Sequence, residues 1–154
     1  MALIHEKLYQ STSLAKINFA NYVETLTNYL ILSYGVNQDC ITVRVNVEQV
    51  FLNIDTAIPC GLIINELISN ALKYAFTKET GGFLEIRLES DSKQRFTLTV
   101  HDNGIGFPQD LDFQRSTTLG LQLVKVLTQQ IEGEIELDQS QGSKFKIKFY
   151  ELQC

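Results

Sequence analysis

The chain has 154 residues, 44% of them apolar and none tryptophan, which suits one domain with one buried core. A net charge of −5 and a pI near 5.0, with no Lys/Arg cluster, exclude a nucleic-acid-binding surface. No apolar run reaches the roughly 18 residues of a membrane span, and no signal peptide begins the chain.

Cys40, Cys60 and Cys154 are odd in number and lack CxxC spacing, so free thiols in a reducing cytoplasm are expected rather than a zinc site. In chain order, residues 1–10 read as the end of a helix, and Ser11-Thr12-Ser13 as a break or a cap. A second helix is expected over 17–33, with Ile17, Tyr22, Leu26 and Leu30 in its apolar stripe and Gly35 as its stop. Residues 41–47 alternate as a strand, and residues 50–54 return as another. A long helix follows over 57–76, with Pro59 in its first turn. Residues 83–90 and 95–102 form a hairpin across Asp91-Ser92-Lys93-Gln94. Another helix spans 119–131 and ends near Gly133; residues 134–138 and 144–150 close a last hairpin through Gln141-Gly142. Helices alternating with strand pairs predict a two-layer α/β sandwich, a mixed sheet covered on one face by helices.

Two motifs stand out. In Asn65-Glu66-Leu67-Ile68-Ser69-Asn70-Ala71-Leu72-Lys73-Tyr74-Ala75, Glu66, Asn70 and Lys73 fall within roughly 60° of one another at about 100° per residue. Ile64, Leu67, Ile68, Ala71, Leu72 and Ala75 fill the opposite side, and Ser69 reads as a small packing residue. Such a polar stripe also suits a plain solvated face. The second motif, Asp102-Asn103-Gly104-Ile105-Gly106-Phe107-Pro108, ends an alternating strand. Asn-Gly normally marks a tight hairpin, but a second glycine and a proline follow here, so a longer loop is expected, reaching to about Thr118. Leu119-Gly120-Leu121 then opens a helix, and a glycine there lets an anion approach unpaired backbone N–H groups. A metal–polyphosphate and a purine need the carboxylates, amide, ammonium and glycines that these stretches supply together.

In order and spacing the motifs resemble the N, G1 and G2 boxes of the GHKL ATPases (Bergerat fold), most of all the catalytic domain of sensor histidine kinases. The resemblance covers about residues 40–150. Residues 2–11 resemble the end of a dimerisation helix from the subfamily with a His-His-Arg-type acceptor motif. This divides the chain into 1–33, a dimerisation-helix end plus connecting helix, and 34–154, an ATP-binding catalytic domain.

By resemblance, Asn70 ligates the Mg²⁺ that bridges the ATP phosphates, and Glu66 is the catalytic carboxylate. Lys73 meets phosphate, and Tyr74 lines the pocket. Asp102 accepts the adenine amino group, while Gly104 and Gly106 pass beside the base and hinge a lid. Gly120 and Leu121 meet the phosphates, and Ser143 offers a hydroxyl near the adenine end. The second glycine box keeps only the last glycine of its usual Gly-x-Gly. The lid, 109–118, is short, with Phe113 and Arg115, and this predicts modest nucleotide affinity.

Neither histidine fits the acceptor: His101 reads as a pocket-edge residue, and His5 lacks the His-His-Arg context. The resemblance therefore implies phosphoryl transfer from ATP to a histidine outside this chain, then to a response regulator. It also implies a homodimeric full-length protein, cytoplasmic or membrane-attached through other regions. An anti-sigma-factor-type serine protein kinase of the same fold and a non-catalytic ATP-binding or dimerisation module are the alternatives.

Overall fold

The computed structural model describes residues 16–35, 40–75, 82–104 and 119–152, except the side chains of Tyr74 and Ala75. The expected helix at 1–10, His5, Gly106, the lid with Phe113 and Arg115, Cys154 and the Tyr74 side chain lie outside the described residues.

The elements are β1 (Ile17–Asn18), α1 (Phe19–Ser33), β2 (Ile41–Val47), β3 (Phe51–Leu52) and α2 (Ile54–Asn70). A π turn (Ala71–Ala75), β4 (Gly82–Ser90), β5 (Phe96–Asp102), α3 (Leu119–Gln130), β6 (Glu134–Asp138) and β7 (Ser143–Phe149) follow. The main sheet runs β2-β4-β5-β7-β6. Strands β2 and β4 are parallel because the chain crosses over through α2 between them, and the remaining pairs are antiparallel. This is the expected two-layer sandwich.

Alternation sorts the sheet into two faces. On β7, Phe145, Ile147 and Phe149 are buried beneath the helices, where Ile63, Ile64 and Ile68 of α2 complete the core. Lys144, Lys146 and Lys148 alternate with them onto the other face. The sequence therefore does carry a lysine row, but each lysine faces an acid of β6, Asp138, Glu136 and Glu134 in register. Cross-strand pairs of opposite charge stabilise the sheet rather than leave a basic surface.

Four boundaries depart from the sequence reading. Ile17 and Asn18 do not begin a helix: they pair antiparallel with Leu52 and Phe51, and the Asn18 side chain caps α1 by accepting from Asn21 N–H at 3.3 Å. The expected strand at 50–54 shrinks accordingly to Phe51–Leu52 and joins this two-residue ladder instead of the main sheet. Helix α2 starts three residues early because Asn53 Oδ1 accepts from Thr56 N–H at 2.9 Å, placing Pro59 inside the helix. After Asn70 the helix widens into the π turn, so Lys73 departs from the 100° spacing that put it on the Glu66–Asn70 stripe.

Helix α1 packs on α2 through Tyr22, whose ring lies directly against Gly61, where a side chain would collide with it. Burial pushes the Tyr22 phenol up to about 12 and the neighbouring Cys60 thiol well above its ordinary range. Both stay neutral. Beyond β7 the chain is clasped at the start of α2. Glu151 pairs with Lys16 at 3.0 Å and accepts from Asn53 N–H at 2.7 Å, while Asn53 Nδ2 donates to the Leu152 carbonyl at 2.7 Å. Leu152 N–H in turn donates to Thr56 Oγ1 at 2.8 Å.

Candidate functional site

One part of the candidate site is built where two helix ends meet. Glu66 and Asn70, half-buried near the C-terminal end of α2, face Gly120, the second residue of α3. A Cβ on Gly120 would lie 3.0 Å from Glu66 Oε2, 3.6 Å from Asn70 Nδ2 and 3.9 Å from Asn70 Oδ1. Glycine therefore leaves a cradle at the first turn of α3, whose N–H groups have no helical partners. Leu121 is 1% exposed and belongs to the core; it does not line the site, and what it offers an anion is its backbone N–H. Lys73 is exposed, with its Nζ 5.7 Å over the ring of Tyr34.

The other part of the candidate site is built by the sheet. Alternation puts Asp102 on the helix-covered face of β5, in register with Leu84 of β4 and Ser143 of β7, and all three are buried. Asp102 Oδ1 accepts from Gly104 N–H at 3.0 Å, an Asx turn that starts the loop. Burial raises the Asp102 carboxyl above the usual carboxylate range, with the Gly104 N–H and His101 pulling the other way. A desolvated carboxylate at a strand end has strong reason to accept a further donor, such as an exocyclic amine.

Two contacts hold this strand end that the sequence reading missed. Gly142, at φ +77°, packs directly on the Asp102 carbonyl with no room for a side chain; a glycine in the last hairpin was its signal. Asn103 Oδ1 accepts from Phe83 N–H at 2.7 Å, extending the β4–β5 pairing by one residue. His101 is held in place: its Nε2–H donates to the Gln141 carbonyl at 3.0 Å, and its ring meets Phe83 edge-on at 5.1 Å.

The structure thus brings Gly120 against Glu66 and Asn70, and sets Asp102 beside Ser143 in register with Gly104 bonded to its carboxylate. A separate cavity of about 750 Å³ opens at the far end of α2, between Ile54, Ile58, Ile131 and Tyr150, and holds none of these residues. Among the described residues no three His, Cys, Asp or Glu side chains converge on a metal position. A cation beside Asn70 would draw most of its oxygens from phosphate and water, the coordination that Mg²⁺ favours.

A mixed sheet roofed by helices, with a polar helix end at one side and a buried aspartate at the other, defines a GHKL-type ATPase domain. Residues 55–153 match the family model described as histidine kinase-, DNA gyrase B- and HSP90-like ATPase, and residues 1–34 match a histidine kinase model. The chain belongs to that ATPase family, on its histidine kinase side. Blue-light-activated histidine kinase 2 of Erythrobacter litoralis is 32% identical over 97 residues, 63% of this chain and 28% of that protein. The sensor histidine kinase PdtaS of Mycobacterium tuberculosis is 30% identical over 145 residues, 94% of this chain and 27% of its own length. The chain thus spans little more than a quarter of these relatives. Among solved structures, a blue-light activated histidine kinase of Erythrobacter litoralis superposes with a TM-score of 0.83 at 27% identity, covering 96% of this chain and 51% of that one. The histidine kinase domain from the same organism gives 0.81 at 25% identity, covering 91% and 65%.

Proposed function

We propose that this chain is the catalytic domain of a two-component sensor kinase, binding ATP with Mg²⁺ and passing the γ-phosphoryl group to a histidine outside it. A response-regulator aspartate then receives the group. The observation that carries this reading is the cradle of Gly120 against Glu66 and Asn70, set in the same layer as the buried Asp102.

Roles follow from chemistry. The Asp102 carboxylate accepts the adenine amino group, with the Ser143 hydroxyl beside it in register. Asn70 offers its amide oxygen to a magnesium ion, which when bound neutralises charge on the phosphates. The N–H groups at the start of α3 receive phosphate oxygens. Lys73 adds a positive charge, and Glu66 polarises the acceptor imidazole. Catalysis is mainly positioning and charge neutralisation.

His101 is held by Gln141 and Phe83, which supports an acceptor elsewhere. We place the acceptor on the dimerisation helix of a homodimeric, cytoplasmically facing kinase, and expect the isolated chain not to autophosphorylate. Glu66→Gln should lower phosphotransfer to an added acceptor helix while leaving ATP binding nearly intact; Asp102→Asn should weaken ATP binding itself. Equal loss of binding in both variants would overturn the assignment of roles. Efficient labelling of His5 by radiolabelled ATP would overturn the external acceptor.

A further inference from the structure

We propose that Tyr34 is a positioning residue for Lys73, holding the lysine ammonium where the phosphates of a bound nucleotide meet it. The proposal rests on the nucleotide reading above. The Lys73 Nζ lies 5.7 Å from the Tyr34 ring centroid, over its face, within the range of a cation–π attraction.

The ring is well placed to act as a fixed platform. Tyr34 is the C-cap residue of α1, its N–H bonded to the Leu30 carbonyl at 3.0 Å, so its backbone is set by the helix. Lys73 sits in the π turn three residues beyond Asn70, at the end of the helix that supplies the phosphate-facing groups. Immobilising a lysine side chain costs more rotamer freedom than for most residues. The ring restrains the stem before any ligand arrives. Attraction to a ring face is electrostatic and leaves ammonium N–H donors free for an anion, so the two contacts are compatible. The π turn gives the lysine its place, because a continued α-helix would have kept Lys73 on the Glu66–Asn70 stripe.

The platform and the lysine come from different parts of the chain. Tyr34 is the last residue of the stretch matched to the histidine kinase model, whereas Lys73 lies in the ATPase match that begins at residue 55. The contact therefore ties the leading helix to the phosphate end of the site.

The test is Mg-ATP and adenosine titration of the full chain, comparing wild type with Tyr34→Phe, Tyr34→Leu, Lys73→Ala and the Tyr34→Leu/Lys73→Ala double variant. Tyr34→Leu should weaken ATP binding about two- to fivefold, Tyr34→Phe should retain wild-type affinity, and adenosine binding should not change. In the Lys73→Ala background Tyr34→Leu should have no further effect. Unchanged or tighter ATP binding by Tyr34→Leu, with Lys73→Ala weakened, overturns this proposal alone; so does an equal loss for adenosine. A wild type that binds no ATP removes both this proposal and the nucleotide reading. Should Tyr34→Leu fail to fold, the wild-type Lys73 ε-methylene resonances decide. An upfield ring-current shift supports the platform, and its absence refutes it.

Discussion

Gly120→Ala separates the stability of the fold from the use of the site. The backbone of Gly120 lies outside the left-handed region, so alanine fits the second residue of α3 without strain. The new methyl would sit 3.0 Å from Glu66 Oε2 and 3.6 Å from Asn70 Nδ2. Both are far ends of side chains, and a few tenths of an ångström of movement relieves the contact. The fold should therefore gain about 0.4–1 kcal/mol from the stiffer unfolded chain, a rise of about 1–4 °C in Tm at about 2–4 °C per kcal/mol for this size. The same methyl fills the cradle and pushes the carboxylate and amide from their places. Nucleotide binding should fall at least tenfold, about 1.4 kcal/mol. Calorimetric Mg-ATP titration and thermal melting on one preparation read both quantities. Unchanged affinity would show that phosphate does not use this cradle. A Tm several degrees lower would show that the glycine serves the backbone.

Further perturbations fall at Asp102 and Gly142. Because burial raises the Asp102 carboxyl, its contribution to stability is fully present below the unfolded value and is lost as pH rises through the raised folded value. Melts of wild type against Asp102→Asn across the acid range should show the wild type losing ground with rising pH and then levelling; a growing wild-type advantage would refute the burial effect. ATP affinity should begin to fall on acidification at a higher pH than an ordinary carboxylate would give, measured by titration at several pH values. Gly142→Ala combines a left-handed φ of +77° with a collision against the Asp102 carbonyl. It should cost about 2–4 kcal/mol in urea denaturation, and a loss below about 1 kcal/mol would mean the hairpin relaxes freely.

The sheet was readable because residues 144–149 alternate lysine and apolar side chains, a period of two that a helix cannot use. The helix boundaries were less so. Ile17 suits either a helical stripe or a strand, and the side chain of Asn18, which caps α1, decides between them. Asn53, the cap of α2, was read inside the expected strand at 50–54, and Pro59, placed in the first turn, drew the helix start three residues too far along. The π turn leaves no mark, since five residues are too few to distinguish its period from that of an α-helix. Of the candidate site, spacing alone put Glu66 and Asn70 on one helix stripe, while Asp102 and Gly120 were singled out through motifs that resemble the family's boxes. The Tyr34 ring beside Lys73 was not legible, because a contact between distant segments follows from packing and leaves no local pattern.

The clasp at Glu151 brings Lys16 and Leu152, distant in sequence, to one spot beside Asn53. About 25 Å of helix then separates that spot from Asn70, at 1.5 Å per residue. Drawing Lys16 or Leu152 away from Asn53 would load this clasp before any other contact of α2. Breaking the clasp would therefore free the start of α2 while its Asn70 end stays set against Gly120 of α3.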